Sequence, residues 1–247
     1  MVFQSSMPLS FDKTLPPGPA LYVVPTPIGN LEDMTLRGIR VLSQVDLILS
    51  EDTRKTGLLL KQYDITTRQK SFRIHMHEQD EAFAIQRLNE GLNLAFCSDA
   101  GTPGISDPVA TLIRRLRLEL PMVPIYPLPG ASALGAALSV CGFQTNPALF
   151  AGFLSTKSGR RTKYLQSITE FEGITVFYES VHRIEKLLGE IRAIHPGRDI
   201  FIAREISKIH EEYLLIPGGL SDADWTARMA QMTQKGEFTV ILGPPTK

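Results

Sequence analysis

The stretch Ser98-Asp99-Ala100-Gly101-Thr102-Pro103-Gly104-Ile105-Ser106-Asp107-Pro108 carries the densest chemistry in the chain. It follows directly on the apolar run Leu94-Ala95-Phe96-Cys97, and so reads as the loop at the end of a buried strand. Its glycines let backbone amides approach a ligand closely, Pro103 and Pro108 stiffen it, and a helical pattern restarts at Val109. An ordinary strand-to-helix connection takes about 2–6 residues. Eleven residues bearing two carboxylates and three hydroxyls exceed that need, which points to a ligand site at the strand's C-terminal end.

Several other chemistries lack their residues. The loop Pro25-Thr26-Pro27-Ile28-Gly29-Asn30 has one glycine where a dinucleotide fingerprint needs three, and GxxxxGK[ST] occurs nowhere, which disfavours NAD and ATP. Gly130-Ala131-Ser132-Ala133-Leu134-Gly135 misses a nucleophile elbow by one place, so Ser132 is expected to start a helix or meet a ligand. His75 and His77 share a face if their segment is a strand, but no third ligand with recognisable spacing accompanies them, and no metal is expected. Cys97 and Cys141 sit in apolar contexts and are expected to be buried, reduced thiols.

The elements that must position these loops show as periodicity. Apolar strands at 21–24, 47–50, 71–74, 94–97 and 122–126 alternate with helical patterns, which implies a parallel α/β sheet with ligands outside the strands' carboxyl ends. Four loops meet there: Pro25–Asn30, Glu51–Arg54, Asp99–Pro108 and Pro127–Ser132. After Gly142 the pattern changes to candidate strands at 148–153, 174–178, 200–204, 213–216 and 238–242, only some separated by helices. The expected architecture is therefore two α/β domains, over 20–142 and 148–247, with a parallel sheet followed by a mixed one and a small-ligand cleft between them. Residues 1–19, with Pro16-Pro17-Gly18-Pro19, read as a mobile extension.

Composition sets the bounds. With 247 residues and 43% hydrophobic content the chain can bury one large core or two modest ones. Its 26 basic and 26 acidic residues cancel, so any nucleic-acid contact must come from a local patch. The N-terminus has no charged segment followed by an apolar run, and no stretch approaches the length of a membrane span, which suggests a cytoplasmic protein.

Six segments, taken in order, carry a resemblance: Val24-Pro25-Thr26-Pro27-Ile28-Gly29-Asn30-Leu31; Ser50-Glu51-Asp52-Thr53-Arg54; the Ser98–Pro108 loop; Pro129-Gly130-Ala131-Ser132-Ala133; Phe177-Tyr178-Glu179-Ser180-Val181-His182-Arg183; and Arg204-Glu205-Ile206-Ser207-Lys208. Together they resemble the ribosomal RNA small subunit methyltransferase I family, within the tetrapyrrole methylase superfamily, from about Leu21 to Gly243. The resemblance implies a class III S-adenosylmethionine-dependent methyltransferase that acts on the ribose 2′-hydroxyl of a cytidine in the decoding region of 16S ribosomal RNA, in the small subunit, and that works as a homodimer. Gly101-Thr102-Pro103 stands where tetrapyrrole methylases usually carry Gly-Asp-Pro, which favours the RNA branch. Val109 stands where such sequences commonly have glycine, and the chain ends at Lys247 without the helical extension many members carry; both bear on RNA substrate choice. Two alternatives stay open: a precorrin-type tetrapyrrole methyltransferase, and a cofactor-binding protein without turnover.

By the same resemblance S-adenosylmethionine should touch Pro27, Ile28, Gly101, Thr102 and Ile105, with Ser132, Ala133, Tyr178 and Ala203 completing the site. Such small, neutral and apolar groups suit an adenine, an amino-acid end and a sulfonium that tolerates no nearby cation. Tyr178 could equally be a core aromatic, since it ends an apolar strand. A protonated ribose hydroxyl is a poor nucleophile, and the candidate bases are Glu51 and Asp52, which follow a strand at its crevice end, and His77 just past the neighbouring strand. The alternative for Glu51, Asp52 and Arg54 is that they cap the next helix. RNA contact is expected from Arg54 in a basic run over 54–74, and from Lys157, Arg160 and Arg161 in what reads as a Gly/Ser-rich loop.

Overall fold

A computed structural model describes residues 14–16, 18–72, 77–233 and 235–245, with the backbone alone at His77. The expected mobile extension over 1–19 lies mostly outside the described residues. The chain forms two compact units, one of residues 1–27 and Leu31–Ala131, the other of Ile28–Asn30 and Ser132–Lys247.

In the first unit, strands β1 (Ala20–Val23), β2 (Leu47–Ser50), β3 (Gln69–Ser71), β4 (Asn93–Cys97) and β5 (Ile125–Pro127) form one parallel sheet in the order β3-β2-β4-β1-β5. Helices α1 (Leu36–Gln44), α2 (Thr53–Gln62), α3 (His77–Asn89) and α4 (Val109–Glu119) provide the crossovers that parallel pairing requires. Both sheet faces are apolar because both are covered. Tyr22, Val24, Ile48, Ala95 and Cys97 pack on one side with Val41 and Leu42 of α1, and Leu21, Leu49, Leu94 and Phe96 on the other with Leu88 and Leu112.

Two of the expected strands are displaced. β3 pairs Ile48 with Gln69 and Ser50 with Ser71, earlier in the chain than 71–74, and residues 73–76 are not described. His77 opens α3, so it does not share a strand face with His75, which is itself among the undescribed residues. β5 begins at Ile125, not at Met122, because Pro124 has no N–H to give the ladder; its carbonyl accepts from Leu21 before pairing starts.

The second unit contains α5 (Ala133–Val140), β6 (Ala148–Phe153), α6 (Ser158–Ser167), β7 (Ile174–Ser180), α7 (Ile184–Ile194), β8 (Ile200–Arg204), β9 (Glu212–Ile216), α8 (Asp222–Gln231) and β10 (Glu237–Leu242). Its sheet runs β6-β7-β10-β8-β9, parallel only between β6 and β7, as the irregular alternation after Gly142 implied. One face packs Leu165, Leu187, Leu188 and Ile191 from α6 and α7. The other packs Ala137 and Cys141 against Ile174, Val176, Phe201 and Ile241. That second contact moves the change of unit to Ala131/Ser132, ahead of the 143–147 junction read from the sequence, because α5 buries its apolar side on this sheet.

Candidate functional site

β2 and β4 are neighbours, with Ser50 opposite Cys97, so Glu51 and Asp52 leave one strand beside Ser98 and Asp99 leaving the other. The two loops hold each other reciprocally. Asp52 N–H donates to Asp99 Oδ1 at 3.0 Å, and Asp99 N–H donates to Glu51 Oε2 at 3.3 Å. Lys55 Nζ, from the first turn of α2, reaches Asp99 Oδ2 at 2.7 Å.

The two adjacent carboxylates of the Glu51-Asp52 pair have different fates. Asp52 is the N-cap of α2: its Oδ1 accepts from Arg54 N–H at 2.9 Å, and the Arg54 guanidinium grips both of its oxygens. These bonds hold its carboxyl far below the usual range, which favours the helix-capping alternative for Asp52 over its expected role as base. Arg54, read from the sequence as an RNA contact, is the other half of this cap, with its side chain 89% exposed. Glu51 goes the other way. Burial pushes its carboxyl up, and the charges of Asp99 and Asp107 add to the effect, against the Asp99 N–H and Lys55. For His77, the structure gives only its place at the start of α3.

The neutral loops of the first unit are tied to one another beside this cluster. Thr26 and Gly101 exchange backbone hydrogen bonds of 3.0 and 2.9 Å, and Thr26 Oγ1 donates to Ser98 O, which joins the loop carrying Pro27 to the long loop after β4. Thr102 Oγ1 donates to Ala131 O at 2.9 Å, tying in the loop after β5. Gly101 has φ 78°, a left-handed backbone that favours glycine, and a side chain at Gly130 would run into Pro25. Asp107 accounts for part of the loop's length. Its carboxylate collects the N–H groups of Gly104, Ile105, Ser106 and Val109, which also holds the loop's exit at Val109 without a glycine there. Ile105 itself is exposed.

In the second unit, Ser132 caps α5 by accepting from Gly135 N–H, so it starts a helix and is no nucleophile. The Tyr178 hydroxyl accepts the N–H of Leu134, one residue into the same turn, while its ring packs against Phe150 and Phe153. Ser132, Ala133 and Tyr178 are thus brought together. Tyr178 and Ala203 lie in one row across the sheet, each opposite Thr239. Ala203, however, is fully buried beneath α5, with its backbone paired on both sides, so it packs the core and offers no surface to a ligand. Ile28 belongs with this unit, and Gly29 lies so close to the Lys208 side chain that a Cβ would meet its Cγ.

The second basic segment is a helix, not a loop. Lys157 is the N-cap of α6, and Arg160 is exposed on its first turn. Arg161 is a correction: it is 3% exposed and forms a bidentate pair with Glu190 of α7 at 2.5 and 2.6 Å, while donating to Ser155 O. A guanidinium committed in this way pins α6 to α7 and cannot meet a phosphate. Asp99 was not singled out from the sequence, though the repeated order of apolar strand, small polar residue, acid, in Leu49-Ser50-Glu51 and Cys97-Ser98-Asp99 marks it; Lys55, part of the basic run over 54–74, is paired to it. Among the described residues, no cluster of three or more His, Cys, Asp or Glu could hold a metal ion.

Comparison with known proteins agrees with the fold. Residues 20–222 match the family model for tetrapyrrole (corrin/porphyrin) methylases. Among solved structures, the methyltransferase CobJ has TM-score 0.65 at 17% identity, covering 92% of this chain and 94% of its own. A uroporphyrin-III C-methyltransferase from Thermus thermophilus, complexed with S-adenosylhomocysteine, has TM-score 0.61 at 14% identity, covering 90% of this chain and 96% of its own. The chain belongs to the tetrapyrrole methylase family and is a methyltransferase by fold and kinship. Curated relatives named ribosomal RNA small subunit methyltransferase I narrow this. One from Leptospira biflexa is 41% identical over 90% of both chains, one from Synechocystis 41% identical over 92% of this chain and 79% of its own, and one from Vibrio cholerae 42% identical over 94% and 80%. Within the larger family, the chain belongs to the ribosomal RNA small subunit methyltransferase I group.

Proposed function

We propose that the chain transfers a methyl group from S-adenosylmethionine to the ribose 2′-hydroxyl of a cytidine in 16S ribosomal RNA, with the small subunit as substrate, in the cytoplasm and as a homodimer. The observation that carries the reading is Glu51: a half-buried carboxylate whose proton affinity is raised, at the end of a strand beside loops bound together by neutral groups. The residue types suit the cofactor. Pro27, Ile28, Gly101, Thr102, Ile105, Ser132, Ala133 and Tyr178 offer backbone, hydroxyl and apolar groups and carry no cation of their own. S-adenosylmethionine supplies a methyl group made electrophilic by its sulfonium.

The chain's own part is to position and deprotonate. Glu51 Oε2 is held by Asp99 N–H, which leaves Oε1 to receive the 2′-hydroxyl proton. A carboxyl with a raised proton affinity is a stronger base than an ordinary glutamate. Lys157 and Arg160, exposed at the start of α6 with no acidic residue in its first turn, are the phosphate contacts.

The test is incubation with labelled S-adenosylmethionine and small subunits from cells lacking this activity, followed by mapping of the modified nucleotide. One alkali-resistant linkage at a single cytidine is expected. A methyl group on a base, transfer only to a porphyrinoid, or saturable binding without turnover would contradict the reading. Light scattering at micromolar concentration checks the homodimer.

A further inference from the structure

We propose that Asp99 is a positioning residue for Glu51: the two form a clasp between the ends of β2 and β4 that fixes the Glu51 carboxylate and sets a second negative charge beside it. This rests on the reading of Glu51 as the base.

The geometry is reciprocal. Glu51 Oε2 takes the N–H of Asp99, and Asp99 Oδ1 takes the N–H of Asp52, so each loop satisfies an amide of the other just where the parallel ladder between Ser50 and Cys97 stops. Backbone amides at such a strand end need partners, and either could have been satisfied by water or by an uncharged side chain. A second carboxylate here is costly to hold, and Lys55 Nζ at 2.7 Å from Asp99 Oδ2 meets its charge. The charged groups around Glu51 are Asp99 and Asp107 from the loop after β4 and Lys55 from α2, with Asp52 neutralised by Arg54. Of the two acids, Asp107 spends its oxygens on the amides of its own loop, so Asp99 is the one whose position is tied to Glu51 directly. Lys55 thus holds the acid that holds Glu51, besides opposing the rise in its proton affinity directly.

The experiment is the pH dependence of kcat/KM for methyl transfer to small ribosomal subunits. Asp99→Asn keeps an oxygen for the Asp52 N–H and the backbone N–H for Glu51, but removes the charge. Its acid limb is expected at lower pH than in the unmodified protein, with kcat on the plateau within about threefold. Asp99→Ala loses the acceptor as well, and its plateau kcat should fall by at least about tenfold, as expected when a reacting group is misplaced by a fraction of an ångström. Asp99→Asn therefore restores the plateau lost in Asp99→Ala. Should Asp99→Asn not fold, Asp99→Ser, whose hydroxyl also accepts an N–H, carries the same test. An unmoved acid limb in the folded neutral variant, or equal plateaus in Asp99→Asn and Asp99→Ala, would overturn the proposal. Glu51→Gln separates the two ideas: if it abolishes turnover while Asp99→Asn leaves the limb in place, the clasp fails and the base stands; if Glu51→Gln turns over normally, the base itself fails.

Discussion

The two units hold their charges in opposite ways. In the first, Glu51 and Asp99 are half-buried and are met by backbone amides and one lysine, and burial raises the proton affinity of Glu51. In the second, the acids Glu190 and Glu179 each face a guanidinium. Arg161 binds Glu190 with both arms and draws its carboxyl below the ordinary value, and Arg183 lies 3.2 Å from the buried Glu179 while donating to Leu154 O. The same residue type has its proton affinity raised where burial meets an amide partner, as at Glu51, and lowered where a guanidinium cancels its charge, as at Glu190.

The largest effect expected from breaking this contrast is a cation placed among the neutral loops. Thr102→Arg removes the bond to Ala131 O and sets a guanidinium in place of a small hydroxyl; titration calorimetry should show affinity for S-adenosylmethionine falling by at least about a hundredfold. Unchanged affinity would place the cofactor elsewhere. In the second unit, Arg161→Met leaves Glu190 without its partner, and denaturant unfolding should register a loss of about 3 kcal/mol. Adding Glu190→Leu to it should recover most of that loss, since the pair matters more for its completeness than for its presence.

A smaller change is expected at the start of α6. Lys157→Ala with Arg160→Ala should flatten the salt dependence of RNA binding by about 0.7 log units per lost contact, with cofactor affinity intact. An unaltered slope would return both to the solvated surface. Smallest is the effect of His195, buried at 4% exposure with Nε2 2.9 Å from Leu165 O, where burial lowers its proton affinity. The unfolded chain then takes up the proton first as pH falls, so stability is full above the ordinary histidine value of about 6.5 and declines below it. Unfolding midpoints at pH 7.5 and 5.5, a range above the titration of Glu190, should differ more in the unmodified protein than in His195→Gln.

Much of this was legible beforehand, for identifiable reasons. β1, β2, β4 and the strands of the second sheet are buried on at least one face, so apolar runs mark them. β3 and β5 pair over three residues each at the two sheet edges, where little apolar patterning is imposed, and they were displaced. The family resemblance located the loops, but composition cannot tell a surface arginine from Arg161, whose acid lies 29 residues away on another helix. Nor could adjacency distinguish Glu51 from Asp52. That depends on which carboxylate meets the Arg54 guanidinium and which is buried against the Asp99 amide, and the pairing of β2 with β4 sets the second.

Single-turnover methyl transfer to small subunits by Glu51→Gln and Asp52→Asn, side by side at saturating cofactor, tests that distinction directly. Glu51→Gln should lose at least about a hundredfold in rate while binding cofactor and RNA normally, and Asp52→Asn, which keeps an N-cap oxygen, should stay within about threefold. A near-normal Glu51→Gln, or the larger loss at Asp52, would contradict the assignment of the base.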